Sequence, residues 1–197
     1  MAEHKIQIHD FARARFWLCV LAVIPTATVG CSSGAPLGGA ASGQTTVVQA
    51  ATLDTFHDPQ GTYTMRIDPS WVEQPGAVVK EVEAWTVGPV RDHFAANVNV
   101  LTQQVPDLDL AGYMKVSGEH MGGLTLIDSK VVKGTNGNEL GVLEYSAPPT
   151  QGRSLHFVVA VAVTHGQAVV ATLTAEEDQF AALRDKTEPY LLTLQPT

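Results

Sequence analysis

The residues most able to do chemistry are the histidines, and five of them lie beyond position 30: His57, His93, His120, His156 and His165. No two fall three to five positions apart, the spacing that puts two imidazoles on one helix or loop face for a divalent metal. His57-Asp58 and Asp92-His93 each offer two ligands, but an Asp beside a His in a turn more often caps backbone groups and faces water. Serine hydrolysis needs a nucleophile, a base and an oriented acid. There is no Gly-x-Ser-x-Gly elbow, and Asp128-Ser129-Lys130 lacks the Ser-x-x-Lys spacing, so a triad has to be assembled from distant residues. Gly122-Gly123 follows a helical segment, whereas a phosphate cradle opens one. No catalytic residue, metal site or cofactor is therefore expected.

Binding chemistry has more to work with. Asn97, Asn99 and Gln103 share one face of a strand-like segment and form a polar row for a ligand or partner, the alternative being a solvated or edge strand. Trp71, Trp85, Tyr63 and Tyr145 are the large amphipathic side chains that dominate interfaces when exposed. A core uses the same residues, and the sequence favours core, with Trp71 packed against a sheet after Asp68-Pro69-Ser70. Glu81 and Glu83 alternate on the solvated side of a strand, and Glu176 and Glu177 suit a helix start. Glu144 and Arg153 flank a Pro-rich loop and are expected to pair across a hairpin.

The bulk properties narrow the partners. Twenty Asp and Glu against twelve Lys and Arg give a net charge of −8. Nucleic acid and anionic headgroups reward clustered cations, so neither is the main partner. Length suits one domain with its own core. Residues 1–30 differ from the rest: Lys5, Arg13 and Arg15 precede the apolar run Phe16–Ile24 and a small-residue stretch, the pattern of a secretory signal and too short to span a bilayer. Thr28-Val29-Gly30-Cys31 resembles the lipobox of bacterial lipoproteins, with Thr where Leu is usual. Cys31 is expected to become the acylated N-terminus, and more than one acyl chain anchors stably. Cys19 and Cys31 are the two cysteines. After processing only Cys31 remains, which removes disulfide, thiolate-zinc and thiol-nucleophile chemistry from the folded domain. Residues 31–50 are small, Gly/Ser-rich and uncharged, a flexible tether.

The elements that must position these residues begin near residue 51. Thr62–Ile67 alternates with period two, and further strands read at about 78–87, 95–104, 125–133, 139–146, 154–164 and 167–174. Asn136-Gly137 and His165-Gly166 are hairpin turn signals. A helix capped by Asp107 or Asp109 carries Leu110, Tyr113, Met114, Ser117 and Met121 on one face. A second starts at the capping-box spacing Thr174-Ala-Glu-Glu177 and carries Phe180, Leu183, Thr187 and Leu191, with Pro189 kinking or restarting it. In Leu155–Val163 the bulky Leu155, Phe157, Val159, Val161 and Val163 face one side, and the small Val158, Ala160 and Ala162 face the other, where a helix can approach. Tight turns between successive strands imply an α+β fold, an antiparallel sheet with helices packed on its faces.

Phe56-His-Asp-Pro-Gln-Gly-Thr-Tyr-Thr-Met-Arg-Ile-Asp-Pro-Ser-Trp71 resembles the opening of PsbP-like domains. Ala96–Val100, the helix after Asp107-Leu-Asp109 and the Thr172–Ala175 strand with its terminal helix are similar too. With the lipobox, residues 53–195 resemble the LpqN-type lipoproteins of actinobacteria. The resemblance implies an α/β/α sandwich over residues 51–197 in a family of accessory or interaction proteins, and it brings no catalytic residues. The expectation is a lipid-anchored, extracytoplasmic, non-enzymatic module for a protein or cell-envelope partner. The alternatives are a carrier or sensor of an apolar small molecule using a cleft beside Ala160 and Ala162, and a hydrolase with a dispersed triad.

Overall fold

The computed structural model describes residues 54–74, 82–92, 94–119, 122–150 and 152–197. Residues 1–50, where the sequence suggests a signal segment, the acylated Cys31 and a tether, fall outside the described residues, as do Glu81, His93, His120 and Met121. The described chain forms β1 (Thr55–His57), β2 (Tyr63–Arg66), β3 (Val72–Glu73), β4 (Val82–Thr86), β5 (Asn97–Gln104), α1 (Leu110–Glu119), β6 (Thr125–Lys133), β7 (Glu139–Ser146), β8 (Leu155–Thr164), β9 (Gln167–Glu176), α2 (Glu177–Leu191) and β10 (Gln195–Pro196). One sheet has seven strands in the order β3-β4-β5-β9-β8-β7-β6, and a small sheet has the order β1-β2-β10. Every pairing is antiparallel.

Local chemistry explains the turns. His165 and Gly166 both have positive φ, 47° and 74°. That is the backbone of a two-residue primed turn, whose twist matches the strands it joins, and it closes β8 onto β9 as the dipeptide predicts. Between β6 and β7 the loop closes on itself with Gly137 N–H donating to Gly134 O at 2.9 Å and Gly137 at φ 83°. At the start of α1 the Gly112 N–H donates to Asp109 Oδ1 at 2.7 Å, so Asp109 supplies the cap. The second expected cap is absent. β9 runs on through Glu176, which makes Thr174 a buried strand residue, and the first free N–H of α2 donates instead to Ser154 O at 3.0 Å. Pro189 lies in the last turn of α2, and the helix continues through it to Leu191.

The two faces of the large sheet do different work, and β8 shows both. Val158, Ala160 and Ala162 join Val98, Val100, Ala171, Leu173, Phe180 and Leu191 in one cluster, under α2 and beside Tyr63 and Met65 of the small sheet. Phe157, Val159 and Val161 join Leu143, Tyr145, Val170, Tyr113 and Met114 on the opposite face, under α1. The small set thus faces α2, as the sequence indicates. Among the described residues no helix is long and apolar enough to cross a membrane.

Candidate functional site

Where the small sheet meets the β3 edge of the large one, a cleft of about 310 Å³ opens, lined by Asp54, Thr55, Phe56, Ile67, Asp68, Pro69, Trp71, Glu73 and Trp85. Its floor and walls are aromatic. Trp85 is 2% exposed, Phe56 meets its ring edge-on at 5.1 Å, and half-buried Trp71 leans on Tyr190 of α2 at 5.3 Å. Its rim is acidic, and none of the described residues that line it is basic. An Asx turn holds Asp68: its Oδ1 accepts from Ser70 N–H at 2.8 Å and from the Ser70 hydroxyl at 2.6 Å. Those bonds keep the Asp68 carboxyl below the ordinary carboxylate range, so its charge persists at neutral and mildly acidic pH. Aromatic faces beside carboxylates suit a cationic group on an apolar stem. Of the four aromatics singled out in the sequence, Tyr63, Trp85 and Tyr145 are core. Trp71 is half-buried: it packs against the core cluster, as the sequence indicates, and lines the cleft as well.

The polar row of β5 lies elsewhere. β5 sits between β4 and β9, so it is not an edge strand. Asn97 and Asn99 are 2% and 3% exposed, and Gln103 is half-buried. The register carries the row across the sheet: Tyr145 of β7 stands beside Phe157, Phe157 beside Thr174, and Thr174 beside Asn97. Gln103 Oε1 accepts from the Tyr113 hydroxyl of α1 at 2.7 Å. Burial pushes the Tyr113 phenol up to about 12; nearby Ser117, whose hydroxyl makes no well-formed hydrogen bond, opposes part of that rise. Asn97 Nδ2 donates to Ala95 O at 3.2 Å, while Asn97 Oδ1 and the Tyr145 hydroxyl are buried without partners. Burial, and secondarily Tyr113, raise the Tyr145 phenol.

Among the described residues one histidine meets a carboxylate: His156 Nε2 lies 2.9 Å from Glu177 Oε2 at the start of α2. Ser146 is the cross-strand neighbour of His156, but His156 Nδ1 is buried without a hydrogen bond, so no nucleophile closes this set into a triad. Asp58 Oδ2 accepts from Thr62 N–H at 3.0 Å, the turn role expected of an Asp beside a His. Among the described residues no three His, Cys, Asp or Glu converge as metal ligands. Glu144 and Arg153 do not pair. Strand order puts Glu144 under α2, 3.3 Å from Arg184, and Arg153 beside β9, 3.4 Å from Glu176.

The antiparallel sheets, the smaller of which joins both ends of the described chain, and the two helices make a mixed α+β architecture that matches the PsbP-like fold. No protein-family model and no curated protein matches the chain. Among solved structures it is similar to the cyanobacterial PsbP protein CyanoP of Synechocystis, with 19% identity and a TM-score of 0.50, over 83% of this chain and 100% of that one. It is similar to LpqN of Mycobacterium tuberculosis, described as involved in cell envelope biogenesis, with 15% identity and a TM-score of 0.53, over 73% and 90% of the two chains. The Saccharomyces cerevisiae Ran-binding protein Mog1p shares the fold at 11% identity and a TM-score of 0.51, over 73% and 96%. These likenesses establish architecture.

Proposed function

We propose that this chain is a non-enzymatic binding module, tethered to the outer face of the cell membrane through acyl chains on Cys31, and that it engages a protein or cell-envelope partner. The observation that carries the reading is the Phe56–Trp71–Trp85 cleft with its Asp54, Asp68 and Glu73 rim. A basic side chain of a partner fits it, its stem on the rings and its charge toward the carboxylates. Two likenesses support the choice of partner class, since Mog1p is a Ran-binding protein and LpqN is involved in cell envelope biogenesis. The lipobox and the Gly/Ser tether support the location. Fractionation tests it: Cys31→Ala is expected to release the protein from the membrane pellet, and equal retention of wild type and variant sinks the anchor.

A second reading has one observation in its favour. Asn97 Oδ1 and the Tyr145 hydroxyl are buried and unpartnered on the α1 face, and a buried polar group without a partner costs about 1–3 kcal/mol. A small molecule slipping between α1 and the sheet, with polar groups to answer them, makes Asn97, Asn99 and Gln103 ligand contacts. Soaking crystals of the protein in cell-envelope extract and finding density under α1 supports that reading; density in the Trp71 cleft alone favours the first.

A further inference from the structure

Where the β1–β2 turn folds over the large sheet, Asp58, Gln60, Tyr63, Glu83, Val100 and Thr102 line a cavity of about 20 Å³, room for one water-sized occupant. The register sets its floor: Glu83 of β4 stands opposite Val100 of β5, and Thr102 lies two residues further along the same face. Tyr63, at the start of β2, belongs to the core cluster on that face. It is 2% exposed, and its hydroxyl is buried without a hydrogen-bond partner. The turn fixes Asp58, whose Oδ2 accepts from the Thr62 N–H at 3.0 Å and from the Thr62 hydroxyl at 2.5 Å.

We propose that this cavity is a site for one Ca²⁺ ion, with the Asp58 and Glu83 carboxylates supplying the charge and Tyr63, Thr102 and Gln60 the neutral oxygens. The charge comes first. Two half-buried carboxylates border one small space, and none of the described residues that line it is basic. Burial, and after it Glu73 and Asp58, raise the Glu83 carboxyl, the mark of negative charge crowded without a counter-charge. The Tyr63 phenol is raised as well, by burial first and then by Asp58 and Glu83, so the three groups share one field. A water molecule answers the hydroxyl but leaves both charges. A divalent cation answers all three groups.

The donor set chooses the ion. It offers oxygen ligands and no thiolate or imidazole, the set of a hard cation. With Asp58 Oδ2 engaged in the turn, six side-chain oxygens remain, the lower end of the six to eight that Ca²⁺ takes. Mg²⁺ keeps several of its waters, and a space for one water-sized body has no room for them. The ligands come from the small sheet on one side and from β4 and β5 on the other, so a bound ion fastens the two sheets together close to Phe56.

Calorimetric titration of the full-length chain with CaCl₂ is expected to show one ion bound per chain with a Kd of about 0.1–1 mM. At 10 mM Ca²⁺ the Tm is expected to rise by roughly 3–10 °C over chelator-treated protein. Glu83→Gln and Asp58→Asn are each expected to weaken binding about tenfold or more, through the lost charge. In chelator Glu83→Gln is expected to be the more stable chain at neutral pH, and Ca²⁺ to narrow the difference. Tyr63→Phe separates a ligand from a core residue: it is expected to raise the Tm in chelator, by removing an unpartnered hydroxyl, yet to shrink the response to Ca²⁺. Glu119→Gln, exposed at the end of α1, is expected to leave that response unchanged. A Tm that is equal in Ca²⁺ and in chelator, wild-type binding by the Asp58 and Glu83 variants, or an equal shift with Mg²⁺ each overturns the assignment.

Discussion

Helix α1 seats on the sheet at one point that a single methyl group can test. Met114 lies over Gly141 of β7, and a Cβ built at Gly141 overlaps the Met114 sulfur, with Met114 Cγ and Val161 Cγ1 both at 2.9 Å. Gly141 and Val161 are cross-strand partners, so the strands cannot part without breaking their ladder. Met114, 8% exposed, is left to move, and α1 with it. Overpacking of this kind costs roughly 1–3 kcal/mol, offset by about 0.5–1 kcal/mol from replacing Gly in a strand interior. Gly141→Ala is thus expected to destabilise by about 1–2 kcal/mol, a fall of roughly 2–8 °C in Tm for a chain of this size. Met114→Ala alone leaves a cavity and costs about 2–5 kcal/mol. In that background the Gly141 methyl still meets Val161 Cγ1 but no longer the Met114 side chain, so adding Gly141→Ala is expected to cost clearly less than in the wild type, a coupling of about 1–3 kcal/mol. Urea unfolding followed by tryptophan fluorescence measures all four corners of the cycle. Additive penalties, or a Gly141→Ala protein as stable as wild type, refute the seating of α1.

Two further outcomes follow from buried or crowded groups. Tyr145→Phe removes a fully buried hydroxyl that has no partner and is expected to stabilise the domain by about 1 kcal/mol; a loss of stability by thermal unfolding shows that the hydroxyl is satisfied. Glu83 has its carboxyl raised by burial first, then by Glu73 and Asp58. Because the folded form holds its proton more tightly than the unfolded chain, Glu83 favours folding below its ordinary range, and that contribution is lost as pH rises through the raised value. Glu83→Gln is expected to be more stable than wild type at neutral pH, with the gap closing on acidification through the carboxylate range; a gap that widens instead reverses the sign.

Much of this architecture is legible where the signal is local. The two faces of Leu155–Val163, the His165-Gly166 turn and the Asp109 cap each depend on a few adjacent residues, and each appears as read. Long-range assembly was beyond such signals. The pairing of Thr55–His57 and Gln195–Pro196 with β2 joins chain ends through strands too short to show a period, and that pairing builds one wall of the cleft. Trp71 reads as core and does pack on the core cluster; that it also lines the cleft depends on the distant small sheet, which its neighbours in sequence do not show. Thr174-Ala-Glu-Glu177 has capping spacing, yet ladder bonds to Asn97 and Phe157 draw Thr174 into β9. Glu144 chooses Arg184 over Arg153 because α2 returns across the sheet, a fact carried by the fold and not by the loop sequence.

The cleft itself offers the most direct test of the binding role. With a photo-crosslinking residue at Thr55, exposed on the cleft rim, the full-length protein in intact cells is expected to give one dominant adduct, and the same residue at Lys115 on α1 is expected not to give it. Adding Trp71→Ala is expected to cut that adduct about thirtyfold, the loss that goes with an aromatic anchor worth about 2 kcal/mol. No adduct from Thr55, or one that is unchanged without Trp71 or equally strong from Lys115, contradicts the assignment of this cleft as the place where the partner docks.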